Sequence, residues 1–360
     1  MSRNGINVLS LFDGMSCGQI ALRKLGVDVN RYYASEIDLI AIRSTQHNYP
    51  WTIQLGDITR VDWSTLPKID LLLAGSPCQG FSSLGKKLNF EDPRSTLFFK
   101  FHEALQIMQD RNPDLAWLLE NVVMKGEWVD VINAHVQRRP IRFNSREVSA
   151  ASRDRLYWTS KPINVNAIRV ARHQFLDDII DYTNQAYTRC KIPQLLADDF
   201  KLALEDPARS QTARKLAKTN CILTTPALAY PSMKGIVRCF GGSLAEKLGS
   251  VVGGVGNLHL ILSNLDKCEV MVRHLNTVEL ERCHNIPNGY IQGTWLEAYH
   301  QIGNGWTVNT IVGLLRQILG LHHGLSGTLT REHHNARAER PNTEPLCPAG
   351  TSPTHGGTQA

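Results

Sequence analysis

The chain has 360 residues, of which 42% are hydrophobic and 20% charged, so it can bury one large core and a smaller second one as a soluble globular protein. Its formal charge of +6 tolerates a polyanionic partner without identifying one. The eight cysteines (17, 78, 190, 221, 239, 268, 283 and 347) never fall at Cys-x-x-Cys spacing, which argues against a zinc site and a disulfide framework and for a reducing compartment. No uncharged apolar run reaches the roughly 18 residues of a membrane helix, and Met1 to Val8 holds no stretch of signal-peptide length, so the expected location is the cytoplasm.

From Ile6 to about Ser160, short apolar runs alternate with segments of helical period. Val8 to Phe12 reads as a strand, and Gly18 to Leu25 as a helix closed by Gly26. Further strands are expected at Tyr32 to Ser35, Thr52 to Leu55, Leu71 to Ala74, Leu115 to Leu119, Ile141 to Val148 and Leu156 to Thr159. Ser95 to Gln109 is the clearest helix, because Leu97, Phe98, Phe101, Leu105 and Met108 share one face. Such alternation implies an α/β fold with a largely parallel sheet covered on both sides.

Residues 1–160 therefore read as a catalytic domain. Over 161–269 the rhythm breaks into mixed charge with Pro193, Pro207, Pro226 and Pro231 and six glycines between 241 and 256, a second and less regular unit. Periodicity returns over 270–321, ending in an apolar-faced helix from Val308 to Leu319. The polar stretch 322–360, with His322, His323, His333, His334 and His355, reads as a disordered tail.

Ligands of open α/β sheets gather at the carboxyl ends of the strands. Asp13, Glu36, Asp57, Cys78 and Glu120 each fall just after a predicted strand, where fold maintenance alone would place apolar groups. Cys78 lies on the stiffened turn Gly75-Ser76-Pro77-Cys78-Gln79, and Glu120 emerges from a neighbouring strand; a thiol beside a carboxyl group suggests covalent catalysis assisted by an acid. The turn Phe12-Asp13-Gly14-Met15-Ser16-Cys17-Gly18 lacks Gly-x-Gly-x-x-Gly spacing, which disfavours a nicotinamide dehydrogenase.

Taken together, Leu9 to Gly18, Gly75 to Gln79, Glu120-Asn121-Val122, Ser152 to Trp158 and Gly303 to Val308 resemble, in their order, the S-adenosylmethionine-dependent DNA cytosine-5 methyltransferases. The likeness is greatest to small phage and bacterial enzymes akin to the animal de novo methyltransferases, some of which serve restriction-modification, and it covers roughly residues 6 to 160 and 270 to 320. It implies a Rossmann-like class I methyltransferase sheet, with 161–269 as target-recognition region and 270–321 packing back on the catalytic domain, in a bacterial or phage-infected cell.

The resemblance also implies roles. Cys78 would be the thiolate that adds to cytosine carbon 6 of a flipped base in double-stranded DNA; Glu120 would bond N3 and the exocyclic amine; Arg153 and Arg155 would hold O2. S-adenosylmethionine would be held by Phe12, Asp13, Gly14, Met15, Ser16 and Cys17, by Glu36 at the ribose, by Asp57, Ile58 and Thr59 at the adenine, and by Pro77, Asn304, Gly305 and Trp306. The loop Gln79 to Arg94 would close over the base, with Ser82, Ser83, Lys86 and Lys87 near phosphates, and the run Arg209 to Lys218 would read base edges. No metal site, membrane contact or obligate protein partner is expected. Ala151 stands where the family usually has Gln, and Asn276 replaces Thr in Arg-x-Leu-Thr, which places local stability there in question. Two alternatives stay open: a catalytically idle DNA-binding homologue, against which Cys78 and Glu120 are both present, and cytosine-5 methylation of RNA, whose transfer-RNA branch carries a Cys-Phe-Thr motif absent here.

Overall fold

A computed structural model describes residues 5–76, 96–168, 178–179, 188–191, 205, 235–240 and 269–321. Pro77, Cys78, the loop to Arg94, the run Arg209 to Lys218 and the stretch after Leu321 lie outside the described residues.

Seven strands form the principal sheet: β1 (Ile6–Leu11), β2 (Val29–Ser35), β3 (Ile53–Gln54), β4 (Leu71–Gly75), β5 (Ala116–Val122), β6 (Ile141–Asn144) and β7 (Asp154–Thr159). Their order is β3-β2-β1-β4-β5-β7-β6, with β1 to β5 paired in parallel and β7 antiparallel to both its neighbours. Both faces are covered, so the central strands are mostly apolar, β4 throughout. Val8, Leu71, Leu73, Ala116 and Leu118 enter one core, and Leu9, Leu11, Leu72, Ala74 and Leu119 enter the other.

Helices α1 (Cys17–Lys24), α2 (Leu39–Asn48), α3 (Thr96–Arg111), α4 (Gly126–Val136) and α5 (Val165–Ile168) lie between or just after these strands. In α3, Phe98, Phe101, Leu105 and Met108 are buried as the spacing predicts, while Leu97 is only partly covered. Two strands are shorter than the sequence pattern suggests. Only Ile53 and Gln54 pair in the Thr52 to Leu55 segment. The run from Ile141 stops at Asn144, whose side chain accepts from Arg146 N–H at 3.0 Å and starts the 3₁₀ turn Ser145–Glu147.

A second, three-stranded antiparallel sheet has the order β8-β10-β9, from β8 (Thr188–Lys191), β9 (Gly235–Phe240) and β10 (Glu269–His274). After β10 come α6 (Thr277–Cys283), α7 (Trp295–Asn304) and α8 (Val308–Ile318). Asn276 caps α6: its side chain accepts from Glu279 N–H at 2.9 Å while the Glu279 carboxylate accepts from Asn276 N–H at 2.9 Å. The Asn in place of Thr therefore keeps a complete capping box, because either residue type serves as an N-cap. The apolar face of α8 (Val308, Ile311, Leu314, Leu315, Ile318) is wholly buried in the core that also holds Ile20 and Ala21 of α1. Among the described residues, no helix is long and apolar enough to cross a membrane.

Candidate active site

Strand order reverses between β1 and β4, which opens a crevice beyond their carboxyl ends. The turn after β1 faces it. Phe12 (φ 57°) and Ser16 (φ 63°) take left-handed backbone that non-glycine residues rarely adopt, and Gly14 lies between them at φ 56°. Tyr290, reached 275 positions later, donates its hydroxyl to the Met15 carbonyl at 2.6 Å and so clamps the turn. Met15, Ser16 and Cys17 point into the interior; burial pushes the Cys17 thiol up to about 12. These three residues offer a ligand their backbone, whereas Phe12, Asp13 and Gly14 stay part-exposed.

Asp13 is the turn's electrostatic centre. Its Oδ1 accepts from the Tyr32 hydroxyl at 2.9 Å, and Oδ2 is sealed from solvent with no hydrogen-bond partner among the described residues. Burial raises its pKa to about 6, against the nearby Ser10, Ser16 and Tyr32 hydroxyls that lower it; the Glu36 charge adds to the rise. Glu36, at the end of β2, fixes three backbone donors: Gly14 N–H on Oε2 at 2.7 Å, and Ile37 and Asp38 N–H on Oε1 at 2.8 Å each. That leaves acceptor capacity chiefly on Oε2. Asp57 spends Oδ1 on Thr59, accepting its N–H at 2.9 Å and its hydroxyl at 2.8 Å, which lowers the Asp57 pKa. Ile58 beside it is buried.

On the other side of β4 the strand register places Gly75, Glu120 and Tyr157 in one row across β4, β5 and β7. Glu120 lies within β5 and not after it, and only 6% of it is exposed. Arg155 Nε meets its Oε1 at 2.9 Å, and Trp306 Nε1 donates to its Oε2 at 3.2 Å. Taking the pair out of water is costly, and the ion pair with the Trp306 hydrogen bond offsets that cost while holding the carboxylate in one orientation. Trp306 can approach only because residue 75 is glycine: a Cβ there would meet Trp306 Nε1 at 2.9 Å. Arg153 is buried and donates to the Gly303 carbonyl at 3.0 Å. The adjoining Asn121 donates from Nδ2 to the Ser76 hydroxyl at 2.8 Å, tying β5 to the end of β4, two positions before Cys78.

The structure thus gathers Glu120, Arg155 and Trp306 into one cluster through an ion pair and a hydrogen bond, with Arg153 bonded to the Gly303 carbonyl near the end of α7, and Asp13, Gly14 and Glu36 into another. Asn304 and Gly305 end α7; a Cβ on Gly305 would collide with Met15 Cε, so the two clusters adjoin across this turn. Asn304 Nδ2 also lies 3.3 Å from His300 Nε2, which stands 3.1 Å from Asp38 Oδ2 in the loop after Glu36. Sequence reasoning did not single out Tyr32, Tyr290 or Ser76, whose roles depend on long-range contacts, nor Ile37. The last carried a local signal, an apolar residue directly after Glu36, and it is 71% exposed.

Residues 6–125 match the family model of the C-5 cytosine-specific DNA methylases. Over 108 residues, 29% of this chain and 22% of the relative, the sequence is 43% identical to an orphan methyltransferase of Bacillus phage rho11s. Identity to the type II methyltransferase M.NlaIV of Neisseria lactamica is 40% over 121 residues, 32% of this chain and 28% of the relative. The chain thus spans about a quarter of the length of these curated relatives. The fold is similar to that of the methyltransferase EhMeth of Entamoeba histolytica (TM-score 0.58, 15% identity, 88% of this chain and 99% of that one). It is also similar to that of Spodoptera frugiperda DNMT2 (TM-score 0.54, 21% identity, 87% and 99%). Over residues 6–125, then, the chain is similar to the C-5 cytosine-specific DNA methylases, and the family's activity is for this chain a proposal.

Proposed function

We propose that the chain transfers a methyl group from S-adenosylmethionine to carbon 5 of cytosine in double-stranded DNA, through a covalent bond between Cys78 and carbon 6 of a base rotated out of the helix. The observation that carries this reading is the Glu120 carboxylate, buried in a sheet and fixed by a guanidinium and an indole from segments 35 and 186 positions away. A carboxylate serving only the fold would not need two oriented donors beside a ligand crevice.

In this reading Cys78 adds as thiolate to carbon 6, and Glu120 delivers a proton to N3 while accepting from the exocyclic amine. Arg155, already bonded to Glu120, and Arg153 hold O2, so the charge that develops on the ring meets fixed cations. Trp306 keeps the carboxylate in the plane where both N3 and the amine can be reached. Loss of the carbon 5 proton then lets the carbon 6 to sulfur bond break, which frees the Cys78 thiolate, and the N3 proton returns to Glu120.

The residues of the other cluster fit the cofactor. The unpartnered Asp13 Oδ2 suits a cationic group, the spare capacity of Glu36 Oε2 suits ribose hydroxyls, and Asp57 Oδ2 with Ile58 and the exposed Ile37 suits an adenine. When bound, S-adenosylmethionine supplies the electrophilic methyl group. Pro77 and Thr59 complete the proposed contacts, with Asn304 and Gly305 at the end of α7.

The test is expression of the chain and of Cys78→Ser in a methylation-free bacterium, followed by mass spectrometry of nucleosides from DNA and from RNA. The expected result is 5-methylcytosine in DNA with the parent chain only. No modified cytosine from folded protein would favour an idle DNA-binding homologue, and modification confined to RNA would move the substrate class.

A further inference from the structure

The loop that follows Glu36 and the turn that ends α7 meet at an imidazole that the proposed reaction leaves unused. His300, on α7, is part-exposed, and its Nε2 stands 3.1 Å from Asp38 Oδ2 and 3.3 Å from Asn304 Nδ2. One nitrogen cannot bond to both of those atoms. Asp38 Oδ2 is a carboxylate oxygen and accepts only, so Nε2 must bear a hydrogen, as it does in the Nε2–H tautomer and in the imidazolium alike; a ring nitrogen that bears a hydrogen cannot accept from an amide N–H. The two ends of an asparagine amide are told apart by their hydrogen bonds, not by their shape. Exchanging them puts Oδ1 before the ring and leaves the Asn304 NH2 group facing away from it.

Asp38 does not need the histidine for its own placement. Its N–H is held by Glu36 Oε1 at 2.8 Å, its Oδ1 accepts from Ile40 N–H at 2.9 Å as the N-cap of α2, and its carbonyl accepts from Ile42 N–H at 2.9 Å. Asn304 does need it: among the described residues, His300 is the one hydrogen-bond partner of its exposed side chain. Holding the helices together does not account for the histidine either. Arg43 Nη1 already meets Glu297 Oε1 at 3.6 Å across the same α2 to α7 seam, and ion pairs this exposed add little to stability.

We propose that His300 is a positioning residue for cofactor binding: it shares its Nε2–H between Asp38 Oδ2 and Asn304 Oδ1 and so turns the Asn304 NH2 group toward an acceptor oxygen of S-adenosylmethionine. The inference rests on the cofactor reading proposed above. It supplies what the carboxylates of that site lack, because Asp13, Glu36 and Asp57 accept whereas the amide NH2 donates.

NMR and calorimetry test it. In ¹⁵N-histidine spectra of the full chain at pH 8, with the His300 signals assigned by their loss in His300→Gln, the ring hydrogen should sit on Nε2. A bare Nε2 with the hydrogen on Nδ1 would overturn the proposal whether or not the chain binds a cofactor. In calorimetry with S-adenosylmethionine, His300→Leu should weaken binding about three- to tenfold, the range for one hydrogen bond, while His300→Gln, whose amide N–H can reach both partners, should stay within about twofold of the parent. In an Asn304→Ala background the His300→Leu change should have no further effect, because its route to the cofactor is gone. Arg43→Leu, which breaks the neighbouring bridge and leaves His300 in place, should bind as the parent does. An equal loss from His300→Leu with and without the Asn304 side chain, or a matching loss from Arg43→Leu, would reduce the histidine to helix packing and overturn the positioning role. Absence of S-adenosylmethionine binding by the folded parent would instead remove the cofactor reading, and the role with it.

Discussion

Glu120 is the side chain on which the most constraints converge, and substitutions there and at its partners separate chemistry from packing. Glu120→Gln keeps volume and a donor-acceptor pair but cannot deliver a proton, so kcat for DNA methylation should fall at least about 100-fold with little change in melting temperature. Trp306→Phe keeps the ring and removes only the N–H that reaches Oε2; it should lower kcat about ten- to a hundredfold, the range expected for one hydrogen bond to a charged group. Glu36→Gln acts on the other cluster. It should weaken cofactor binding in calorimetry about tenfold or more, because a carboxylate that fixes Gly14, Ile37 and Asp38 N–H becomes a neutral amide with one acceptor.

Turns and caps carry as much of the site as the strands do. A Cβ at Gly75 is blocked by Trp306 Nε1, so Gly75→Ala should displace the indole and reproduce the Trp306→Phe loss, with an added fall in melting temperature. Asn276→Ala breaks both halves of the capping box of α6 and should cost about 1 kcal/mol in denaturant unfolding, while Asn276→Thr should be near neutral. These elements also show what could be read in the chain beforehand. Strands buried on both faces write themselves as apolar runs, and the acids at their ends, Asp13, Glu36 and Asp57, stand out against that background. The bond between Trp306 and Glu120 spans 186 positions and has no local signature; only family resemblance placed the two residues in one site at all. The early end of β6 escaped notice because Asn144 ends the strand with its own side chain, while the apolar pattern continues to Val148.

For the molecule as a whole, folding and function are joined through the late segment. Chain ending after residue 305 would lack α8 and strip cover from Ile20 and Ala21, so it should be insoluble or unfolded and not merely inactive. Stability should also carry a pH signature with two opposing parts. Asp13 is raised to about 6, so it holds its proton more tightly folded than unfolded; its contribution is fully present below the ordinary value of 3.8 and is lost as pH rises to about 6. Asp13→Asn should therefore stabilise the ligand-free protein at pH 7, by about 1–3 kcal/mol, and make little difference near pH 4. His284 works the other way: its folded pKa is depressed, so stability falls as pH drops through about 6.5, and His284→Gln should flatten that limb.

The most direct measurement of the central claim uses duplex DNA in which 5-fluorocytosine replaces cytosine, incubated with the full chain and S-adenosylmethionine. Fluorine cannot leave as a cation, so the final elimination is blocked and the base should remain attached to the protein. A denaturant-resistant complex whose cross-linked peptide contains Cys78, absent from Cys78→Ser, is the predicted result. Methylation of ordinary DNA with no such complex, or a complex mapped to another residue, would contradict it.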